Sequence, residues 1–264
     1  MGSSERSSNV SKIAEAFVSA RRTGRALPDY PGTVPASLTE AYRVQDAAID
    51  LHGAAIGGWK VGRINPPIDR VDRLTGPIFA ESIVPGGDSP PVMRIFRGGF
   101  GAAEAEYLLR IGRAPEPGKT SFSRDETIAL IDAVHIGIEV ASSPFPGIND
   151  LGATVTISDF GNNNGLVIGT AIEGWRDGAF ERWPVELLVN GKTIGSGVGT
   201  EMLDGPIGAA RFLFALMADR GIALQPGQWI SSGAVTGVHC VAAGDRVEAR
   251  FNGEIAVACA IEDL

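Results

Sequence analysis

Gly98-Gly-Phe-Gly-Ala-Ala-Glu104-Ala-Glu106-Tyr-Leu-Leu109 is the stretch on which the reading of this chain turns. As a strand it alternates faces, so Glu104 and Glu106 point the same way. Their neighbours are Ala, Tyr and Leu, which predicts a largely buried strand. Two carboxylates side by side in apolar surroundings repel each other unless a cation neutralises them. A third, Glu139, interrupts the apolar run Ala133-Val-His-Ile-Gly-Ile-Glu-Val-Ala141. Alternation there puts Val134, Ile136, Ile138 and Val140 on one face and His135 and Glu139 on the other. Three hard oxygen donors without a thiolate fit Mg²⁺ or Mn²⁺ better than Zn²⁺. The plain alternative is that Glu-x-Glu marks a solvated strand face and Glu139 a surface or paired acid. Spacing alone leaves both open.

Further out, Ile56-Gly-Gly-Trp-Lys60-Val-Gly-Arg63 sets a lysine among glycines, where backbone approaches something closely. Its cation is suited to binding a substrate carboxylate or moving a proton; the alternative is a strand-edge lysine reaching for water. The Asn190-Gly191 and Asn252-Gly253 pairs lie between apolar runs and predict type I′ hairpins. Ser123-Arg-Asp-Glu126 opens a helix with a capping box, and Pro206 to Arg220 forms another, closed by Gly221. Strands in hairpins with few helices predict an α+β or mostly-β domain rather than an alternating parallel sheet. Ahead of it, Ser-rich residues 1–8 read as a disordered leader. Val10 to Arg22 and Ala41 to Leu51 carry helical periodicity, the second after the capping-box spacing Ser37-Leu-Thr-Glu40 and before a Gly53 stop. The expected division is an N-terminal helical segment, 1–55, and a catalytic β-rich domain, 56–264.

With 44% hydrophobic residues among 264, the chain can bury a sizeable core. A net charge of −8 argues against nucleic-acid binding, and no basic cluster suits a membrane surface. The apolar helix at 207–218 is short and interrupted by Arg211, so no membrane span is expected. Two cysteines, Cys240 and Cys259, are too few for a disulfide scaffold; both are expected in the core of a cytoplasmic protein. Gly99-Phe-Gly101 leads to Glu104 and no helix, so it is no dinucleotide fingerprint. Gly195-Ser-Gly-Val-Gly199 follows a hairpin strand, which favours close packing. The three histidines lack partners at ligand spacing.

Several motifs recur in order along the chain: Ala41-Tyr42-x-x-Gln45, Lys60-Val-Gly62, Glu104-x-Glu106, the Glu139 strand, Thr156-x-x-Asp159, Gly197-x-Gly199-x-Glu201, and Gly233-Ala234 ahead of Ala243-Gly244-Asp245. With this order the chain, from about residue 10 onward, resembles the 2-oxopent-4-enoate hydratase and 4-oxalocrotonate decarboxylase family, within the fumarylacetoacetate hydrolase superfamily. The resemblance implies an α+β fold with a mixed β-roll core, Mg²⁺ or Mn²⁺ at Glu104, Glu106 and Glu139, a catalytic or carboxylate-binding Lys60, and a homo-oligomer. It implies a lyase acting on a short 2-oxo acid, first a hydratase of 2-hydroxy-2,4-dienoates, with Asn162 a candidate substrate contact. Decarboxylation of an oxalocrotonate-like diacid is the alternative, and a catalytically idle binding or partner subunit another. Carbon–carbon bond hydrolysis ranks below these, for want of a His–Glu pair among the N-terminal helices. The chain departs from the family pattern at Val71-Asp72-Arg-Leu-Thr-Gly76, which lacks a second Asp, and at Phe160-Gly-Asn162-Asn-Asn164.

Overall fold

The computed structural model describes residues 3–264. Two helices come first, α1 (Ser3–Thr23) and α2 (Leu38–His52), followed by strands β1 (Ile56–Ile68), β2 (Val71–Phe79), β3 (Ile83–Pro85), β4 (Val92–Ile95) and β5 (Phe100–Ile111). Then come α3 (Arg124–Leu130), β6 (Ile131–Ser143), α4 (Ala153–Ser158), β7 (Asn163–Ala171), β8 (Pro184–Val189), β9 (Lys192–Val198), α5 (Gly205–Asp219), β10 (Trp229–Ser231), β11 (His239–Cys240), β12 (Arg246–Phe251) and β13 (Ile255–Asp263). One sheet runs β2-β1-β10-β5-β6-β7-β3, with β11 also paired to β5; the other runs β4-β13-β12-β8-β9. Most pairs are antiparallel, while β1–β10, β3–β7 and β4–β13 are parallel. The architecture is the expected α+β one with mixed sheets.

Alternation decides what each face of the larger sheet does. Ala103, Ala105, Tyr107 and Leu109 of β5 and Val134, Ile136, Ile138 and Val140 of β6 enter one core with Val185, Leu187, Val247, Phe251 and Val257 of the smaller sheet and Leu213, Phe214 and Met217 of α5. Glu104, Glu106 and Glu139 therefore project from the opposite face. Because a one-residue slip would exchange the two sets, burial of the apolar set pins the register that groups the carboxylates.

α1 and α2 contribute Ile13, Phe17, Val44 and Ala48 to a second core shared with Phe79, Phe145, Val155 and Phe160. Ser37 caps α2 by accepting from the Glu40 N–H, and Gly53 ends it at φ 74°. The capping box at Ser123–Glu126 forms at the start of α3. The Tyr42 hydroxyl accepts the Thr75 N–H at 3.1 Å, and Gln45 donates to the carbonyls of Thr75 and Ile157, so the Tyr42–Gln45 motif ties α2 to β2 and α4.

Three local expectations are corrected. The polar leader joins α1 from Ser3 onward, since no Pro or Gly interrupts it there; Met1 and Gly2 lie outside the described residues. Asn190-Gly191 makes a two-residue hairpin with both φ positive, but the Asn252 turn takes a third residue, Phe251 pairing with Ile255. Cys259 is buried, whereas Cys240 is exposed, because it lies in the two-residue β11 at the rim of the sheet.

Candidate active site

The antiparallel register of β5 and β6 sets Glu104 directly opposite Glu139, and Glu106 opposite Gly137. One oxygen from each of the three carboxylates lies within 4.8 Å of the other two. Glu104 is 4% exposed and the other two 0%, so the solvated-face alternative does not hold. Like charges directly opposite each other destabilise a sheet, and here the partial relief is local. Glu106 Oε2 accepts from the Ser231 hydroxyl and from the Gly233 N–H at 2.9 Å. Glu139 Oε1 accepts from Asn163 Nδ2 at 2.9 Å. Glu106 Oε1 and Glu139 Oε2 are buried and have no hydrogen-bond partner among the described residues.

Lys60 is no edge lysine. β1 lies between β2 and β10, and Lys60 is 5% exposed. Its Nζ sits 3.4 Å from Glu139 Oε1 and 3.4 Å from Asn162 Oδ1. Asn162 Nδ2 donates in turn to Asn149 Oδ1 at 3.1 Å. The close approach anticipated from the glycines near Lys60 is real, though Gly76 and Gly161 also take part. A Cβ on Gly76 would fall 2.0 Å from the Phe160 carbonyl oxygen, and Gly161, at φ 64°, lies against the Lys60 stem.

The electrostatics follow from burial. Burial lowers the Lys60 pKa, but Glu139, Glu104 and Glu106 push it up by more, so the net direction is upward. Burial pushes the Glu104 carboxyl up; Lys60 pulls it back and Glu139 adds to the rise, and it stands at about 7. Glu106 is raised well above the usual carboxylate range, by burial first and then by the charges of Glu139 and Glu104.

Lys60, Glu104 and Asn162 open onto a cavity of about 940 Å³. Its walls include Ile64, Leu74, Met202 and Val235, with Arg63, Asn149, Ser232 and Thr236 as polar members. The hydroxyls of Ser232 and Thr236 are buried without a partner among the described residues. Thus the carboxylates, Lys60 and Asn162 come together in one place. Sequence reasoning missed Ser231, Asn163, Asn149, Ser232 and Thr236. Asn163 was within sight, in the Asn162–Asn164 run.

The donor set suits a divalent cation. All three side chains offer hard oxygens, they converge within one coordination sphere's reach, and two of their buried oxygens lack any donor among the described residues. The histidines stand apart: His135 Nδ1 is bonded to the Gly169 carbonyl and His239 Nε2 to that of Thr236. His52 Nε2 lies 3.9 Å from Glu81, which follows β2 and is not part of the N-terminal helices. The His52 ring packs on Phe79 and Phe160, and neither member of the pair lines the cavity.

No family model matches the chain. A 2-keto-4-pentenoate hydratase from Burkholderia vietnamiensis is 24% identical over 253 residues, 93% of this chain and 94% of that protein. A 4-oxalocrotonate decarboxylase from Pseudomonas putida is 28% identical over 151 residues, 57% of this chain and a little over half, 56%, of that protein. Among solved structures, the 4-oxalocrotonate decarboxylase from Pseudomonas putida G7, complexed with magnesium and adipate, superposes with a TM-score of 0.79 at 21% identity, covering 96% of this chain and 97% of the other. The chain has the fumarylacetoacetate hydrolase fold. The fumarylpyruvate hydrolase from Pseudomonas aeruginosa, in complex with Mn²⁺ and pyruvate, shares it more distantly, with a TM-score of 0.57 at 16% identity over 78% of this chain and 89% of that one. The resemblance to the hydratases and decarboxylases extends over most of the chain, and those relatives are lyases. No described helix is long and apolar enough to cross a membrane.

Proposed function

We propose that this chain is a divalent-metal-dependent lyase acting on a short 2-oxo acid, and that it hydrates a 2-hydroxy-2,4-dienoate to a 4-hydroxy-2-oxo acid. The observation that carries the reading is the convergence of three buried carboxylates within 4.8 Å beside a buried lysine and a cavity. Glu104, Glu106 and Glu139 would hold Mg²⁺ or Mn²⁺. The cation supplies Lewis acidity for a 2-oxo acid head and favours enolate character there.

The protein's own groups do the rest. Lys60 presents an ammonium to the substrate carboxylate or shuttles a proton, and ketonisation moves one proton from the 2-hydroxyl to C5. That proton transfer leaves a conjugated enone, to which water adds at C4. Asn162 holds Lys60 from one side through its carbonyl oxygen and offers a polar contact to the substrate. Ile64, Leu74 and Val235 enclose the hydrocarbon chain, and the free hydroxyls of Ser232 and Thr236 meet its polar end. The substrate is thus a small anion, and the working form a homo-oligomer in the cytoplasm.

Decarboxylation of an oxalocrotonate-like diacid is a second reading, in which the same head accepts electrons as CO₂ leaves from the far carboxylate. Arg63 favours it: this cation lines the cavity, where it suits a second carboxylate. Incubation with 2-hydroxypentadienoate and Mg²⁺, with loss of ultraviolet absorbance and product identification, tests hydration. CO₂ release from the diacid tests the second reading. Turnover of neither would leave a ligand-binding or partner subunit.

A further inference from the structure

Arg21 lies in the last turn of α1, where the sequence shows only one more charge on a polar helix face. Its side chain is 8% exposed and its whole fork is engaged. Nε donates to Asp159 Oδ1 at 2.5 Å, and one terminal nitrogen donates to Asp159 Oδ2 at 3.0 Å and to the Ser142 carbonyl at 3.1 Å. The other donates to the Asn163 carbonyl at 3.1 Å and to Asn164 Oδ1 at 3.2 Å. The guanidinium carbon lies 5.0 Å from the Phe160 ring centroid and 5.4 Å from that of Phe96.

Between these contacts runs Phe160-Gly161-Asn162, three successive residues at φ 55°, 64° and 58°. Asn tolerates that region, but Phe160 is strained in it, and a turn of three such residues in a row persists only when its surroundings over-determine it. Arg21 grips it on both sides, at Asp159 before and at Asn163 and Asn164 after. The turn delivers two side chains to the site, Asn162 to Lys60 and Asn163 to Glu139. Ser142, the fourth point of attachment, is three residues along β6 from Glu139.

We propose that Arg21 is a positioning residue: by clamping the turn at 160–162 it sets Asn162 on Lys60 and Asn163 on Glu139, fixing the pose in which the carboxylates take a cation. The inference rests on the metal reading above and adds the N-terminal helix to the machinery. Lysine cannot replace the fork, since one ammonium cannot serve two oxygens of Asp159 and three further acceptors in a plane.

The test is Mn²⁺ binding to the metal-free protein by calorimetry, for wild type, Arg21→Met, Arg21→Lys and Asn163→Ala, with a melting curve for each. Partners that orient ligands are worth about 10–100-fold in metal affinity. Arg21→Met and Asn163→Ala are each expected to weaken Mn²⁺ binding by about that factor, with Arg21→Lys between. Asn163→Ala keeps the clamp and removes only the contact to Glu139, so its affinity falls by that route alone; a purely structural Arg21 moves only the melting temperature. Mn²⁺ affinity within about threefold of wild type in folded Arg21→Met overturns the proposal. Where Arg21→Met does not fold, Arg21→Lys decides on the same terms. A wild-type protein that binds no Mn²⁺ at millimolar concentration defeats instead the metal reading beneath it.

Discussion

Lys60→Met separates an enzyme from a mere relative in fold, and the structure gives its consequences on two scales. The ammonium lies 3.4 Å from Glu139 with both side chains at most 6% exposed. Removing one member of a buried ion pair costs about 3–5 kcal/mol, because the other charge is left uncompensated. For 264 residues, at about 2.1 cal/mol/K of unfolding entropy per residue, that lowers the metal-free Tm by about 5–9 °C. A divalent cation among Glu104, Glu106 and Glu139 replaces the missing charge, so saturating Mg²⁺ should recover much of the loss. Metal affinity should stay the same or rise, since a positive neighbour has gone.

The kinetic scale is independent of the thermal one. A donor aimed at developing charge is worth about 2–4 kcal/mol, or roughly 30- to 900-fold in kcat/KM. Steady-state kinetics in saturating Mg²⁺, beside melting curves with and without metal, read both scales. A lower Tm with wild-type kcat/KM makes Lys60 a counter-ion and refutes its catalytic role. An unchanged metal-free Tm refutes the ion-pair argument itself.

Glu106→Gln removes a ligand charge with little volume, so turnover should fall by at least about 100-fold and Mg²⁺ should no longer raise the Tm; unchanged activity in saturating metal refutes its role. The metal-free protein should lose stability as pH rises, because the Glu104 carboxyl stands at about 7 when folded against 4.5 in the reference state. That contribution is complete below pH 4.5 and lost as pH rises through about 7, and denaturant titrations at pH 5 and 8 with and without Mg²⁺ should show metal flattening the slope. Ser232→Ala and Thr236→Val remove buried hydroxyls that bond to nothing among the described residues, so stability should hold or rise slightly. If those hydroxyls meet substrate, KM rises about 3- to 10-fold in each; unchanged KM removes them from the site.

The sequence was most readable where a simple period coincides with a strong chemical requirement. Two-residue alternation placed Glu104 and Glu106 on one face, and the apolar set at 134, 136, 138 and 140 placed Glu139 on the other side of its own strand. What alternation cannot supply is the partner: nothing within either stretch sets Glu104 opposite Glu139 rather than two residues away. Burying both apolar faces against the second sheet excludes a one-residue slip but not a two-residue one, so this pairing is visible only in the fold. The ordered motifs carried the fold, yet their physical purposes differ from residue to residue. Gln45 spans a helix–sheet gap, and Gly197 makes way for the Val235 carbonyl, which a Cβ there would approach to 2.2 Å.

Arg21 and the turn at 160–164 were illegible for a different reason. A charged residue near a helix end predicts a solvated face, and only the fold shows that Asp159, Ser142 and Asn163 converge on it from three places more than a hundred residues away. The same convergence gives the departure at Phe160–Asn164 a physical sense. Left-handed Phe160 and Asn162 are tolerable because the guanidinium fork, the packing against Gly76 and the bond to Lys60 hold them together. A sequence that changes this turn while retaining the three glutamates therefore alters what holds Lys60 and Glu139 in place, not which carboxylates are present, and changes in substrate among such relatives should track the turn.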